Sequence, residues 1–507
     1  MAFDSSSRGS GTERKPGFGD RRKNFEKQDS NFTGNRDRRN NAGGFKTQRA
    51  PQQSKRENIA ESARYIALNA FEDVVLNESY ASMALDKRFS SVNLSQADKR
   101  LATGITYATL ENLLRIDWIL DQFLQERDKL PSQIIDLLRI SVSQLFFFDR
   151  IPENAIVDEA VKICRFMKLE AMTGLVNAVL RGIIRKKTEI RYPDESDKVK
   201  YLSIMHSVPE WLVKQLIDGY GEEIAAEICG YRKKKHYITV RPNMTRFDDD
   251  SFEKSVLSKK VWEKEKCVIP HAWRVMGISE LARDNDYLAG NYSVQGESSI
   301  LCAMCAQAKA GQKVLDCCAA PGGKTAYITE SMNDTGRVYA WDVHDHRVAL
   351  IRAMIHRLGF ENVRPAVHDA TVMKEDLEGQ MDCVLLDAPC SGTGVMDDKP
   401  DIKFRLKEES VDELVSTQEK LLNTCCRYVK KGGRLIYSTC SVLKQENEKQ
   451  IERFLASHPE FVVEQLPEQF PAELGKYAGD HGLQLLSYRD DTEGFFIAEM
   501  KRVKLER

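Results

Sequence analysis

Two stretches of this chain, "DAPCSGTGV" (387–395) and "YSTCS" (437–441), set a cysteine just past an apolar run that reads as a strand. Cys390 follows Pro389 and Cys440 follows Thr439. A lone cysteine is more often a buried structural thiol than a reactive one. Two at the ends of neighbouring strands, beside an acid such as Asp387, point to chemistry instead. A thiolate is a strong nucleophile once its proton is lost. Added to C6 of a cytosine, it turns the ring into an enamine whose C5 can attack an electrophilic methyl group. Asp387 would then meet the charge that develops at N3, and the C5 proton and the thiol would leave in turn. Such a reaction requires the base to be taken out of its stack. The residues alone leave open which cysteine attacks.

A third stretch, "DCCAAPGGKTA" (316–326), ends like a phosphate-binding P-loop. That motif needs a glycine where the chain has Cys318, so a triphosphate cradle is excluded. A small-residue loop running into a helix near Gly323 still lets a ligand approach the backbone. Asp316, Asp342 and Asp387 close three predicted strands, and Asp369 follows another. Four acids on one sheet edge disfavour a pyrophosphate and suit S-adenosylmethionine. That cofactor carries a sulfonium, an ammonium and two ribose hydroxyls. Its carboxylate is expected at the helix start, near Lys324.

These residues need a parallel sheet to bring them together. Strands are predicted at 313–316, 337–342, 363–367, 382–387 and 433–439, with a late pair near 483–486 and 494–500. Helices lie between them, clearest at 346–358 and 408–428. Alternation of this kind implies an α/β domain, here 286–507, with ligands at the carboxyl ends of the strands. Before it, residues 57–190 repeat apolar positions every three or four residues, as in "PSQIIDLLRISVSQLFFFD" (131–149), and read as an all-helical domain. Residues 191–285 are expected to form a small α+β linking subdomain, with two short helices in 208–229 and a strand in 236–245.

The chain has 507 residues, and its 75 Lys and Arg nearly cancel 76 Asp and Glu. Residues 1–56 nonetheless hold 14 Lys or Arg against 6 Asp or Glu, with few apolar residues. They are expected to be a disordered basic tail, suited to loose RNA contact through phosphates and stacked phenylalanines. No apolar run has the length of a membrane span, and the first 30 residues lack a signal-like apolar stretch. With 12 cysteines, this leads us to expect reduced thiols and a cytoplasmic protein. Cys302 and Cys305 form a C-x-x-C without a second pair, and "HDH" (344–346) reads as solvated surface, so no metal site is expected.

The motifs "CAAPGGKT" (318–325), "DAPCSGTGV" and "YSTCS" resemble those of the RsmB/Nop2/Sun RNA cytosine-C5 methyltransferases. "GNYSVQGESS" (290–299) and "QENE" (445–448) resemble flanking elements of that family. "LSQADKRLATGITYATL" (94–110), "RIPENAIVDEAVKI" (150–163) and "GLVNAVLRGIIRK" (174–186) resemble a NusB-like RNA-binding domain. The resemblance implies a class I, Rossmann-like, S-adenosylmethionine-dependent methyltransferase domain behind a NusB-like one. It implies a monomer acting on small-subunit (16S) ribosomal RNA. By the same resemblance Cys318, Ala319, Ala320, Pro321, Gly322, Gly323 and Lys324 hold the methionine part of the cofactor. Asp342, Asp369 and Asp387 complete its site, Cys440 is the nucleophile, and Cys390 assists product release. The chain departs from the family pattern at Glu297, where Asp is usual, and at Phe404, where Trp is usual; neither is expected to touch the chemistry. Two rival readings are a cytosine methyltransferase for transfer RNA or large-subunit RNA, and a non-catalytic NusB-like antitermination factor. A third, amino-group methylation, expects Pro-Pro-aromatic where this chain has Ala388-Pro389-Cys390.

Overall fold

The computed structural model describes residues 58–504 except 78, 234–236, 279 and 280, so the basic segment 1–56 lies outside the described residues. Seven helices follow from the apolar periodicity of the first region. They are α1 (Ala63–Asn77), α2 (Ala81–Ser91), α3 (Gln96–Glu111), α4 (Leu113–Asp121), α5 (Ser132–Phe147), α6 (Glu153–Phe166) and α7 (Thr173–Arg185). Helix α5 is the central one. It buries Ile134, Leu137, Leu138, Ile140, Val142 and Leu145, more of its circumference than an amphipathic surface helix would. Local signals set the ends: Ser95 Oγ accepts from Asp98 N at the start of α3, and α6 opens after Pro152 with Glu153 in its first turn.

Three more helices, α8 (Lys198–His206), α9 (Glu210–Tyr220) and α10 (Glu222–Gly230), lead into a small antiparallel sheet. Its strands are β1 (Ile238–Pro242), β2 (Glu263–Lys266), β3 (Trp273–Met276) and β4 (Tyr292–Val294), in the order β2-β3-β1-β4. The fourth strand comes from beyond residue 285, because Tyr292 packs on the same aromatic cluster as Phe252 and Trp273. Arg241 on β1 is fully buried. It pairs there with Glu330 on the helix Gly323–Ser331 and donates to Gln295 Oε1 at 2.6 Å, which fastens the small sheet to the next domain.

That domain holds β5 (Lys313–Asp316), β6 (Arg337–Asp342), β7 (Val363–Val367), β8 (Met381–Asp387) and β9 (Val429–Thr439). It ends with β10 (Phe461–Val463), β11 (Ala478–Gly479), β12 (Gly482–Leu485) and β13 (Phe495–Arg502). The order is β11-β12-β13-β9-β8-β5-β6-β7, with β10 also paired to β13. Strands β5 to β9 are parallel, and β13 runs antiparallel beside β9. The chain leaves β5 toward β6 and β7, then returns to β8 on the other side. The switch point of the sheet therefore lies between β5 and β8, where doubly wound sheets hold ligands. No helix among the described residues is long and apolar enough to cross a membrane.

Glu499 on β13 is 2% exposed. Its Oε1 accepts from Gln307 at 2.7 Å and Arg434 at 2.9 Å, and burial pushes its carboxyl up from 4.5 to about 7. The folded protein thus holds this proton more tightly than the unfolded chain. The associated stability is fully present below pH 4.5 and is lost as pH rises through 7. The gap corresponds to at most about 3 kcal/mol. Urea midpoints at pH 5 and pH 8 are expected to fall with pH in the wild type and to fall less in Glu499→Gln. An equal fall in both proteins would remove Glu499 from the explanation.

Candidate active site

Each predicted acid sits at or just past a strand end, and each is held differently. Asp316 closes β5 and is 1% exposed; Oδ2 accepts from Thr325 Oγ1 at 2.7 Å. Burial pushes its carboxyl up to about 7. Asp342 closes β6, accepts from His344 N at 3.1 Å and lies 3.3 Å from the Arg347 guanidinium. Asp369, two residues past β7, is exposed and accepts from Thr371 N and Oγ1 at 2.9 and 2.7 Å. Asp387 closes β8 and is gripped from both sides, by Lys324 Nζ at 2.6 Å and Ser438 Oγ at 2.7 Å.

Between β5 and the helix Gly323–Ser331 the chain turns at Gly322, whose φ of +110° favours glycine. A Cβ there would also stand 3.2 Å from Met354 Sδ. The turn aims Lys324 across the switch point at Asp387. Burial alone would lower the Lys324 ammonium, but Asp387 outweighs it and keeps the amine charged. Lys324, expected from its place in the motif to meet the cofactor carboxylate, is ion-paired with Asp387.

Cys390 lies three residues past β8 and Cys440 one residue past β9, and their sulfurs are 3.3 Å apart. Neither is in a disulfide. The hydrogen bond between the sulfurs, in which either thiol can be the donor, pulls Cys440 down; burial and Asp387 oppose this, and Lys324 and Lys399 assist it. The same hydrogen bond, then burial, the Cys440 charge and Glu446, hold Cys390 well above its ordinary value. These directions favour charge on Cys440 over charge on Cys390.

What fixes the two loops is a buried polar network that the motifs did not reveal. Glu446 is fully buried and accepts from Ser391 N at 2.9 Å, Gln418 Nε2 at 2.9 Å, Ser441 Oγ at 2.5 Å and Ser391 Oγ. Gln418 also donates to Pro389 O at 3.0 Å. Asn447 accepts from Thr439 Oγ1 at 2.6 Å and donates to Ser441 O at 2.9 Å. The "QENE" stretch was the only signal in the sequence; Gln418, inside a long helix, gave none.

The loops also meet directly. Gly394 N donates to Cys440 O, and Gly494 N to Gly394 O, each at 2.9 Å. A Cβ on Gly394 would lie 1.9 Å from Gly494 O and 2.9 Å from Cys440 O, both backbone atoms that cannot swing away. Gly394→Ala is expected to cost about 1–3 kcal/mol in the denaturation midpoint. By displacing the Cys440 loop it is also expected to lower turnover at this site at least tenfold, read as kcat. A variant with wild-type kcat would show that the Cys440 loop tolerates displacement.

A cleft of about 750 Å³ opens at this edge, within the range of cofactor sites. It brings together Cys318, Ala320, Asp342, Asp369, Asp387, Cys390 and Cys440. Ala319 and Gly322 are buried and lie outside that lining with Gly323 and Lys324, and Pro321 is exposed. An acidic rim and a backbone turn fit a cationic, ribose-bearing cofactor better than a phosphate one. Of the other residues singled out in the sequence, Cys302 and Cys305 are fully buried on the helix Glu297–Cys305. His344 and His346 are exposed, with ring centroids 5.4 Å apart.

Comparison with known proteins agrees with this architecture. The model of the RsmB/F 16S rRNA methyltransferase family matches residues 303–501, and that of the NusB family matches 61–185. A probable ribosomal RNA small subunit methyltransferase B of Bacillus subtilis is 34% identical over 443 residues, 87% of this chain and 99% of the relative. The ribosomal RNA small subunit methyltransferase B of Shewanella oneidensis is 30% identical over 439 residues, 86% of this chain and 98% of the relative. A crystal structure of the protein PH0851 superposes with a TM-score of 0.72 at 26% identity, covering 86% of this chain and 98% of the other.

Proposed function

Because the chain belongs to the ribosomal RNA small subunit methyltransferase B family, we propose that it methylates C5 of a cytosine in small-subunit (16S) ribosomal RNA through a covalent adduct at C6. The single observation that carries this reading is the cysteine pair, sulfurs 3.3 Å apart, in the cleft that also holds Asp342 and Asp387. An amino-group methyltransferase has no use for such a pair.

Bound S-adenosylmethionine supplies the electrophilic methyl group; Asp342 and Asp369 would hold its ribose side and the 316–323 loop its methionine side. The chain's own residues do the rest. Cys440, as thiolate, adds to C6 of the extruded cytosine and pushes electron density to C5. The Lys324–Asp387 pair faces the developing charge at N3 and can exchange a proton there. Once C5 is methylated its proton passes to water in the open cleft, the C5–C6 double bond re-forms, and the Cys440 sulfur leaves as thiolate. Cys390 donates its S–H to that sulfur before attack and again on departure, which eases release.

The test is incubation of the purified protein with methyl-labelled S-adenosylmethionine and small-subunit ribosomal RNA, followed by nucleoside digestion. Label in 5-methylcytosine is expected. Label only in transfer RNA or large-subunit RNA would replace the substrate. No label in any RNA offered would favour a non-catalytic RNA-binding factor.

A further inference from the structure

The cleft has a wall that neither sequence motif supplies. Tyr80, the residue before α2 in the helical region, lines the same cavity as Cys390 and Cys440 and is 51% exposed. The Arg405 guanidinium lies 4.1 Å from the centre of its ring. Arg405 ends the short helix Ile402–Arg405, which is anchored on three sides. Phe404 packs against the core of the helical region, and Lys403 Nζ donates to His206 O at 3.2 Å. Ile402 sits against Gly392, its Cδ1 3.0 Å from where a Cβ would be. The helix that abuts the Cys390 loop thus sets the guanidinium against the tyrosine ring.

The chemistry of this wall is specific. An open aromatic face backed by a guanidinium suits a nucleobase, because single-stranded bases stack on aromatic rings and arginine planes. Arg405 Nε has no hydrogen-bond partner among the described residues, although Asp401 lies 3.6 Å from its Nη1. Lys399 and Arg347 line the same cleft and can meet the phosphates on either side of such a base. When a cytosine is drawn out of its stack, its neighbours lose a partner, and a replacement surface beside the catalytic pocket lowers the penalty of extrusion.

We propose that Tyr80 and Arg405 form a stacking subsite for a nucleobase flanking the target cytosine, so that the helical region builds part of the active-site cleft. The proposal rests on the RNA methyltransferase reading and adds to it a specificity element from outside the catalytic domain.

The experiment uses the full chain as wild type, Tyr80→Ala and Tyr80→Phe, with small-subunit ribosomal RNA and methyl-labelled S-adenosylmethionine. Tyr80→Ala is expected to raise the KM for RNA about tenfold, the loss of one base stack. Its kcat at saturating RNA and its KM for S-adenosylmethionine should stay within about twofold, and Tyr80→Phe, which keeps the ring, should restore the wild-type KM. Ultraviolet crosslinking of the same mixtures, read by peptide mass spectrometry, is expected to place a nucleotide adduct on the Tyr80 peptide. An unchanged KM in Tyr80→Ala, or a Tyr80→Phe variant as impaired as Tyr80→Ala, would overturn the subsite. Were the wild type to make no 5-methylcytosine, the functional reading would fall. Crosslinking would then judge the subsite alone: an adduct on the Tyr80 peptide upholds it, and adducts only elsewhere refute it.

Discussion

Cys440→Ala is expected to remove methyl transfer, with kcat/KM falling by roughly four orders of magnitude or more, as removal of a covalent nucleophile does. Cys390→Ala is expected to fail differently. Its Cys440 thiolate still attacks but has lost the hydrogen bond, at 3.3 Å, that stabilises it as a leaving group. Covalent protein–RNA adduct should therefore accumulate and be visible as a slow species on a denaturing gel. The charges around the pair give the asymmetry a physical basis. Lys324 and Lys399 favour charge on Cys440, whereas Glu446 disfavours it on Cys390. Both variants should fold, since each deletes one small sulfur beside an open cleft. An active Cys440→Ala beside an inactive, adduct-free Cys390→Ala would reverse the two roles while leaving the chemistry intact.

The part of this site that was legible in the sequence is the part the backbone carries. Four of the five parallel strands end in Asp or Thr, so Asp316, Asp342, Asp387 and Thr439 announce both the strand and its carboxyl end, whereas β7 ends in Val367 and Asp369 follows it. Glycines and prolines around 321–323 and 389–394 mark the turns between. The small sheet was harder to read. Strand β2 is "EKEK", exposed along its whole length, and no alternation distinguishes it from a loop. Strand β4 is three residues long and pairs with β1 across some fifty residues of chain. Side-chain networks leave still less trace. Gln418 meets Glu446 only because the helix Glu408–Cys425 packs beside the β8 and β9 loops. Phe404 had been set aside as remote from the chemistry. Its ring is spent on the helical core, yet its helix places Arg405 in the cleft and Ile402 on the Cys390 loop. Contacts across three regions of the chain have no periodicity to read.

Glu446→Ala tests whether that hidden network holds the reacting groups in place. The carboxylate is fully buried and receives four donors: one backbone amide, two hydroxyls and the Gln418 amide. Deleting it removes the acceptor from Ser391 N and from both hydroxyls, whereas Gln418 keeps Pro389 O. Each unsatisfied group costs about 1–3 kcal/mol, though the two hydroxyls can rotate toward one another, as Ser391 and Ser441 already lie 3.1 Å apart. A net loss of about 3–5 kcal/mol in the denaturation midpoint is therefore expected. Because Ser391 and Ser441 are the immediate neighbours of Cys390 and Cys440, slack there separates the sulfurs, and displacement of about 1 Å lowers rates roughly 100-fold. Glu446→Gln separates shape from charge. Its carbonyl can still accept from Ser391 N and Gln418, and its amine can donate to the turned hydroxyls, so most of the stability should return. The negative charge that helps keep Cys390 protonated does not return with it. The glutamine variant should thus fold nearly as well as wild type, yet its pH–rate profile should shift as the two thiols compete for one proton. If Glu446→Ala melts with the wild type, the buried carboxylate is not what holds the two cysteine loops together.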